Sequence, residues 1–366
     1  MRAVTTFMVL STLFIIGCEL DRETDTENPF NGERHQVNLT HETIDSPMVL
    51  LDDSFIYMNM GGTIGQGQAT YYRHYFEGDT VVAIGTIFNF LISTKFVALV
   101  DNILFFHVGI NADNTTDFST VLYGINLNDN KLRPYYTNND AAPITTDYEC
   151  NGKVISLMRA STNNTSNIFR AYLNLYDVKT DTVEKKHEWV FDRSSMTGSA
   201  CLNFCIDDGK IYMLIEDGNG TGNNTRSIKV YDDSMNILRT ISIDEVHDYI
   251  MESNVGEIAV FGEYIFMSNY SSYALIGRIE NNAVKPLVQE RALEQSMNQF
   301  KKDRVVFLVR RTNKCYLLNV NNKTLSEFHA KVNAEHWLTY GLSTEEKFLF
   351  LSRTDNGNDI VYLYTY

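Results

Sequence analysis

Short apolar runs and polar breaks alternate along almost the whole chain. From about residue 45 the runs are rich in Val, Ile, Phe and Tyr, and they are broken by Asn, Asp and Gly. This pattern predicts β-strands. β-Branched and aromatic side chains fit a pleated, half-buried surface, and the interrupting residues tolerate the backbone of tight turns. Helical periodicity is nearly absent, and short helices are expected only around residues 244–252 and 288–295.

The runs recur as a unit of apolar run, polar turn, second apolar run, polar loop and two further strands. The turn and second run read Asp53-SFIYMN, Asp101-NILFFH, Lys153-VISLMR, Lys210-IYMLIE, Glu263-YIFMSN, Arg304-VVFLVR and Lys347-FLFLSR. The steps between these seven copies are 48, 52, 57, 53, 41 and 43 residues. A repeating sheet of four antiparallel strands needs about 40 to 50 residues, so the spacing is that of one sheet per copy. The later half of the unit is strand, Asx-rich tight turn, strand, as in VLYGINLNDNKLRPYY and SIKVYDDSMNILRTISI. The seventh copy stops one strand short after IVYLYTY. HQVNLT, residues 35–40, has no hairpin partner and can supply that strand, removing an exposed sheet edge.

This layout resembles a β-propeller. It is similar to propellers of the low-density-lipoprotein-receptor type and to bacterial surface lipoproteins with related repeats. The likeness lies in an aromatic strand, a loop and then a strand–turn–strand, here ILFFHVG followed by VLYGINLNDNKL, although the YWTD signature itself is missing. The resemblance covers roughly residues 35–366. It implies an all-β, seven-bladed propeller, with six blades as the alternative, that binds a ligand or protein. It carries over no catalytic residue.

The N-terminus has a different character. Residues 2–17 read RAVTTFMVLSTLFIIG, one Arg before an apolar stretch too short to span a bilayer comfortably, which is the outline of a secretory signal. The run ends Ile15-Ile16-Gly17-Cys18, which resembles the lipobox of bacterial lipoproteins. In that family the peptide is cut just before the Cys, whose thiol carries diacylglycerol. The resemblance implies a lipoprotein signal peptide at 1–17 and a lipidated Cys18 with a flexible tether at 18–34. It places the protein on the extracytoplasmic face of a bacterial membrane. Lipid chains contribute about 0.8 kcal/mol per buried CH₂, so two or more hold a protein at the surface.

Of the 366 residues 44% are hydrophobic and only 5 are Pro, which excludes a disordered or collagen-like chain. Lys+Arg 31 against Asp+Glu 46 gives a net charge of −15. Such a chain repels polyphosphate, so nucleic acid is not an expected partner. Cys150, Cys201, Cys205 and Cys315 are read as small buried core residues. Cys201 and Cys205 stand too far apart along an extended strand for a disulfide.

The last positions of the seven runs are Asn59, His107, Arg159, Glu216, Asn269, Arg310 and Arg353, all polar after apolar stretches. If the frames coincide, they form a ring of polar groups at one height. Arginine forks suit carboxylate or phosphate, so Arg159, Arg310 and Arg353, with His107 and Glu216, are the candidate binding residues. The plainer reading is that strands turn polar where they reach water. The loops after these runs are rich in Asn, Thr, Gly and Ser and offer hydrogen bonds without apolar surface. The eight histidines show no HxH or HExxH spacing, and there is no GxSxG elbow or phosphate-cradling GxxxxGK[ST]. Glu216 and Asp217 beside a Gly-rich turn lack the spacing of an EF-hand. No catalytic residue, metal site or cofactor is assigned. The expected function is a lipid-anchored module binding a protein, peptide or glycan. The alternative is an extracytoplasmic hydrolase or lyase acting on a glycan or peptide at the propeller's tunnel mouth.

Overall fold

The computed structural model describes residues 33–37, 46–61, 67–93, 98–111, 118–139, 141–143, 148–160, 167–222, 224–246, 255–269, 273–291, 295–299, 304–309, 314–329, 336–343, 347–354 and 359–365. Strand β1 (Glu33–Val37) opens the chain. A first unit follows as β2 (Ser46–Leu50), β3 (Ser54–Gly61), β4 (Gly67–Tyr75) and β5 (Thr80–Ser93). The second holds β6 (Ala98–Val100), β7 (Ile103–Asn111), β8 (Phe118–Asn126) and β9 (Lys131–Asn138). A short β10 (Ala141–Pro143) leads to the third: β11 (Tyr148–Cys150), β12 (Lys153–Ala160), β13 (Ile168–Asp177) and β14 (Thr182–Asp192). The fourth is β15 (Thr197–Asp207), β16 (Lys210–Asn219), β17 (Thr225–Tyr231) and β18 (Ile237–Ser242). The fifth is β19 (Val255–Phe261), β20 (Tyr264–Asn269), β21 (Tyr273–Glu280) and β22 (Ala283–Arg291). The sixth is β23 (Gln295–Gln299), β24 (Arg304–Val309), β25 (Lys314–Asn319) and β26 (Thr324–His329). The last has β27 (His336–Ser343), β28 (Lys347–Thr354) and β29 (Asp359–Thr365).

Within each unit successive strands pair antiparallel. The last takes its fourth strand from the other end of the chain: β1 pairs with β29, from Glu33 opposite Thr365 to Val37 opposite Val361. The strand begins two residues before the expected HQVNLT, so Glu33 and Arg34 belong to the sheet and not to the tether. Residues 38–40 of that segment lie outside the described residues.

The second strands explain why the apolar runs are continuous and do not alternate. Both faces of β3, β7, β12, β16 and β20 are buried, because each unit is sandwiched between two others. Ile56 and Met58 pack with Leu104, Phe106 and Val108, joining the first unit to the second. Phe105 meets Val154 and Tyr176, Leu157 meets Met213 and Ile215, Leu214 meets Ile265 and Met267, and Phe266 meets Tyr316. Strand β23 lies against β27. Val37, Leu349 and Val361 then close on Leu50, Phe55 and Tyr57. The packing therefore returns to its start, and the fourth strands, such as β9 and β18, lie mostly exposed at the outside.

The first turns of the units use the residues the pattern foresaw. Asp101–Asn102, Asn151–Gly152 and Asp208–Gly209 all have positive φ, the conformation of two-residue hairpins whose twist matches the strands. Cys150, Cys201, Cys205 and Cys315 are buried free thiols; burial pushes the Cys201 and Cys205 thiols far up, leaving them unreactive. The two helix expectations fail differently. Asp244–Val246 is a single 3₁₀ turn, with 247–252 outside the described residues. Residues 288–291 belong to strand β22, where pairing with β21 and packing of Leu287 and Val288 on the core override a weak helical period.

Polar contacts staple one face of the ring. Arg73, 6% exposed, donates from Nε to Ser54 Oγ at 2.8 Å, from Nη1 to the Leu127 carbonyl and Asn130 Oδ1 at 2.9 Å each, and from Nη2 to Asp53 at 3.2 Å. It thereby ties the first unit to the second. Burial raises the Asp53 carboxyl, but the Ser54 hydroxyl and the Arg73 guanidinium outweigh it and hold the group below its ordinary value. Lys323 reaches back from the sixth unit to Glu263 of the fifth at 3.0 Å, and the Gly262 amide donates to Asp207 at 3.0 Å between the fifth and fourth.

Asp207 is half-buried, and its carboxyl is raised above the ordinary value by burial and by the charge of Asp208, with the Gly262 amide and Lys210 opposing. A raised carboxyl favours the protonated native state. Its contribution is present below the unfolded value and is lost as pH rises through the folded one. Asp207→Asn should therefore raise the melting temperature at pH 7.5, with a gain that shrinks toward pH 4. A gain that does not change with pH between those values would refute the assignment.

Candidate functional site

The five polar positions that can be counted from a described turn do not share a level. Counting from the first residue after each tight turn, paired as Leu51/Ser54, Val100/Ile103, Cys150/Lys153, Asp207/Lys210 and Phe261/Tyr264, Asn59 and Asn269 lie five residues along the strand. His107 lies four along, and Arg159 and Glu216 six. The expected ring at one height is thereby corrected. The apolar runs begin at different distances from their turns, and each one-residue offset moves a side chain to the opposite face.

The described candidates also have separate surroundings. His107 is 3% exposed and sits between the second and third units, its Nδ1 3.3 Å from Ser156 Oγ. It faces the interior of the ring's wall, not solvent. Glu216 accepts from Arg226 Nε at 2.7 Å and from Asn224 Nδ2 at 2.8 Å. Its neighbour Asp217 points to the other face, where it accepts from Ser199 Oγ and pairs with Lys229 at 2.9 Å. Each carboxylate thus has its own cation, an arrangement that neutralises them individually and does not set one against the other as acid and base. Among the described residues no three His, Cys, Asp or Glu side chains are grouped to hold a metal ion. Arg353 is in β28 with its backbone opposite Trp337 and Asp359. The Arg353 side chain, Arg310 and Cys18 lie outside what the structure describes.

Arg159 differs from the rest. It is exposed, and its guanidinium carbon lies 5.1 Å from the centroid of the Phe169 ring. Arg193, which frame counting missed because it follows a fourth strand, lies over the same ring at 5.8 Å. The Arg193 amide is bonded to the Asn167 carbonyl at 2.8 Å, so the end of β14 is pinned to the start of β13. Neither guanidinium has a carboxylate partner among the described residues. By contrast Arg73, Arg133, Arg170, Arg226 and Arg278 are all ion-paired. Asp192, beside Arg193, is held at about 2 by the hydroxyl and amide of Ser194 and by Ser195. Arg73 and His74 were also missed. The signal was present in YYRHYF, two basic residues inside an apolar strand, a pattern that requires buried partners. Trp189 is buried between the third and fourth units and packs on His187, so it serves the core.

The ends of the second strands and the starts of the third lie on one rim with several inter-unit connections. Several connections continue there as strand. The end of β5 pairs with β7, β10 with the end of β12, and the start of β15 with the end of β14. Of the loops, 219–222 of the fourth unit is the one most fully described. Its Gly220 amide donates to the Met196 carbonyl at 2.8 Å, which seats it against the turn that carries Arg193.

No protein-family model matches the chain, and no curated protein matches it. Solved structures do. The β-propeller domain of the Trilobed protease from Pyrococcus furiosus is 10% identical with a TM-score of 0.54, covering 88% of this chain and 92% of that one. Pyrococcus horikoshii acylaminoacyl peptidase is 12% identical with a TM-score of 0.56 over 88% of this chain. The match spans 51% of the peptidase, so this chain corresponds to about half of it. Oligogalacturonate lyase from Vibrio parahaemolyticus is 11% identical with a TM-score of 0.52, covering 91% and 98% of the two chains. At such identities the likeness speaks to the fold alone. With the four-stranded units and the ring of packing described above, it makes the chain a β-propeller.

Proposed function

We propose that this chain is a lipid-anchored binding module, held by Cys18 on the extracytoplasmic face of a bacterial membrane, that grips a protein, peptide or glycan on the rim of its propeller. Each four-stranded unit is taken as one blade, giving seven. A six-bladed ring would need one of the paired units to fall outside the closed circuit of packing. The relationship to low-density-lipoprotein-receptor-like repeats and to bacterial surface lipoproteins belongs to this proposal and rests on the repeat layout and on Ile15-Ile16-Gly17-Cys18.

The observation that carries the binding reading is the dispersal of the polar candidates. His107, Glu216 and Asp217 are each occupied by different neighbours, while Arg159 is left exposed at the rim. A catalytic centre needs acid, base or nucleophile within reach of one reacting atom. The described residues supply polar groups without that convergence. No helix among the described residues is long and apolar enough to cross a membrane; the attachment proposed is the lipid on Cys18.

The test is a crosslinking capture from intact cells with the lipidated protein as bait. Specific recovery of a partner that is lost on substituting rim residues supports the module, and recovery unaffected by rim substitutions defeats it. For the anchor, Cys18→Ser should abolish incorporation of labelled fatty acid and leave the precursor uncut. Continued labelling of that variant would disprove lipidation at this residue.

A second reading, an extracytoplasmic glycan lyase or hydrolase, is favoured by the match along 98% of the oligogalacturonate lyase chain. It predicts release of unsaturated or reducing sugar ends from a supplied polysaccharide, which the binding reading does not.

A further inference from the structure

We propose that Arg159 and Arg193, stacked on Phe169, form a clamp for the carboxylates of a uronate-bearing polysaccharide on the rim between the third and fourth units. This rests on the reading of that rim as the ligand face and names its ligand class. The two guanidiniums come from different strand ends and converge on one half-buried ring, at 5.1 and 5.8 Å from its centroid. An aromatic face fixes the guanidinium plane while leaving the N–H edges outward, and those edges match a carboxylate two bonds at a time. In a chain of net charge −15, Arg73, Arg133, Arg170, Arg226 and Arg278 are each paired with a carboxylate. Two guanidiniums over one ring, neither with a carboxylate partner among the described residues, therefore make a cationic spot in an acidic chain, beside the Asp192 carboxylate that Ser194 and Ser195 already hold.

The surroundings select a glycan over an acidic peptide. The turn carrying Arg193 presents exposed Ser194 and Ser195, and the loop bonded to it through Gly220 presents exposed Asn219 and Thr221. Hydroxyls and amides retain lone pairs and hydrogens after their internal bonds. They suit sugar hydroxyls. A sulfate ester is another anion a glycan can carry, and arginine forks grip tetrahedral oxyanions as well as carboxylates, so dextran sulfate is the discriminating probe.

The experiment is calorimetric titration of the full chain in non-ionic detergent with oligogalacturonate, dextran sulfate, neutral dextran and polyglutamate. The expected result is binding of oligogalacturonate that weakens with added salt, and none of neutral dextran. Charge-assisted bonds contribute enough that Arg159→Gln and Arg193→Gln should each weaken binding by about tenfold or more. Arg159→Lys and Arg193→Lys, which keep the charge but lose the fork, should restore only part of it. The melting temperature should hold in every variant. No binding of oligogalacturonate by the wild type, or binding of dextran sulfate or polyglutamate at least as tight, would overturn the uronate assignment. Unchanged oligogalacturonate affinity in the Arg159→Gln/Arg193→Gln double variant would overturn the clamp while leaving a ligand-binding rim intact. Its loss together with the fold would assign the pair to structure.

Discussion

Deleting Glu33–Val37 should produce a protein that is strongly destabilised and prone to aggregate, whereas deleting residues 20–30 should cost almost nothing. The strand contributes a full register of five residue pairs to β29 and buries Val37 against Leu50, Phe55 and Leu349. Each backbone bond is worth about 0.5–1.5 kcal/mol net, and burying a Val side chain about 1.5–3 kcal/mol. The expected loss is therefore roughly 4 kcal/mol or more, a large part of the stability of an ordinary domain. Removing the strand also leaves β29 as an unpaired edge, a template for pairing with another chain. Thermal unfolding and light scattering on both deletions check this. Equal melting temperatures would mean that closure between Val361 and Leu50 holds without β1.

Gly198→Ala should be the most damaging single methyl that can be added near the rim. Gly198, the second residue of β15, pairs with Phe191 and has φ +100. A Cβ there would stand 2.2 Å from the Val190 carbonyl oxygen and 3.2 Å from its carbon. A backbone carbonyl cannot rotate aside as a side chain can, so the strand crossing from the third unit to the fourth has to open. Left-handed strain of about 1 kcal/mol adds to that clash, for an expected cost above about 3 kcal/mol. Gly209→Ala is the matched control, since its φ is +68 but nothing lies within 4 Å of the added carbon. It should cost only the conformational part, about 1 kcal/mol. Denaturant unfolding of the two variants separates the effects. Equal losses would show that the close approach of β14 and β15 is not what requires glycine.

The repeating pattern was informative because a blade buries both faces of its second strand. That burial turns SFIYMN, ILFFHV and IYMLIE into continuous apolar runs that recur at sheet spacing. The tight turns were legible because only residues tolerant of positive φ occupy them, as at Asn151–Gly152 and Asp208–Gly209. The shortfall of one strand in the seventh copy was also plain, since an unpaired edge has to be met by something, and the residues before the first copy were the free strand-forming segment. These features are local, or periodic along the chain, and need no knowledge of which units touch.

The side-chain constellations were decided only in three dimensions. Whether Asn59, His107 and Arg159 align depends on where each run starts relative to its turn, and a one-residue difference exchanges the two faces of a strand. The contact of His107 with Ser156 joins residues 49 apart across a unit boundary. Arg73 finds its acceptors in two units, and Arg159 and Arg193 meet on Phe169 from the ends of two other strands. The sequence by itself determined the repeated sheet and the residues of its turns, because hydrophobic period and backbone preference are properties of neighbouring residues. The tertiary structure decided which polar groups are neutralised and which stay open, because partners separated by tens of residues are brought together only when the sheets pack.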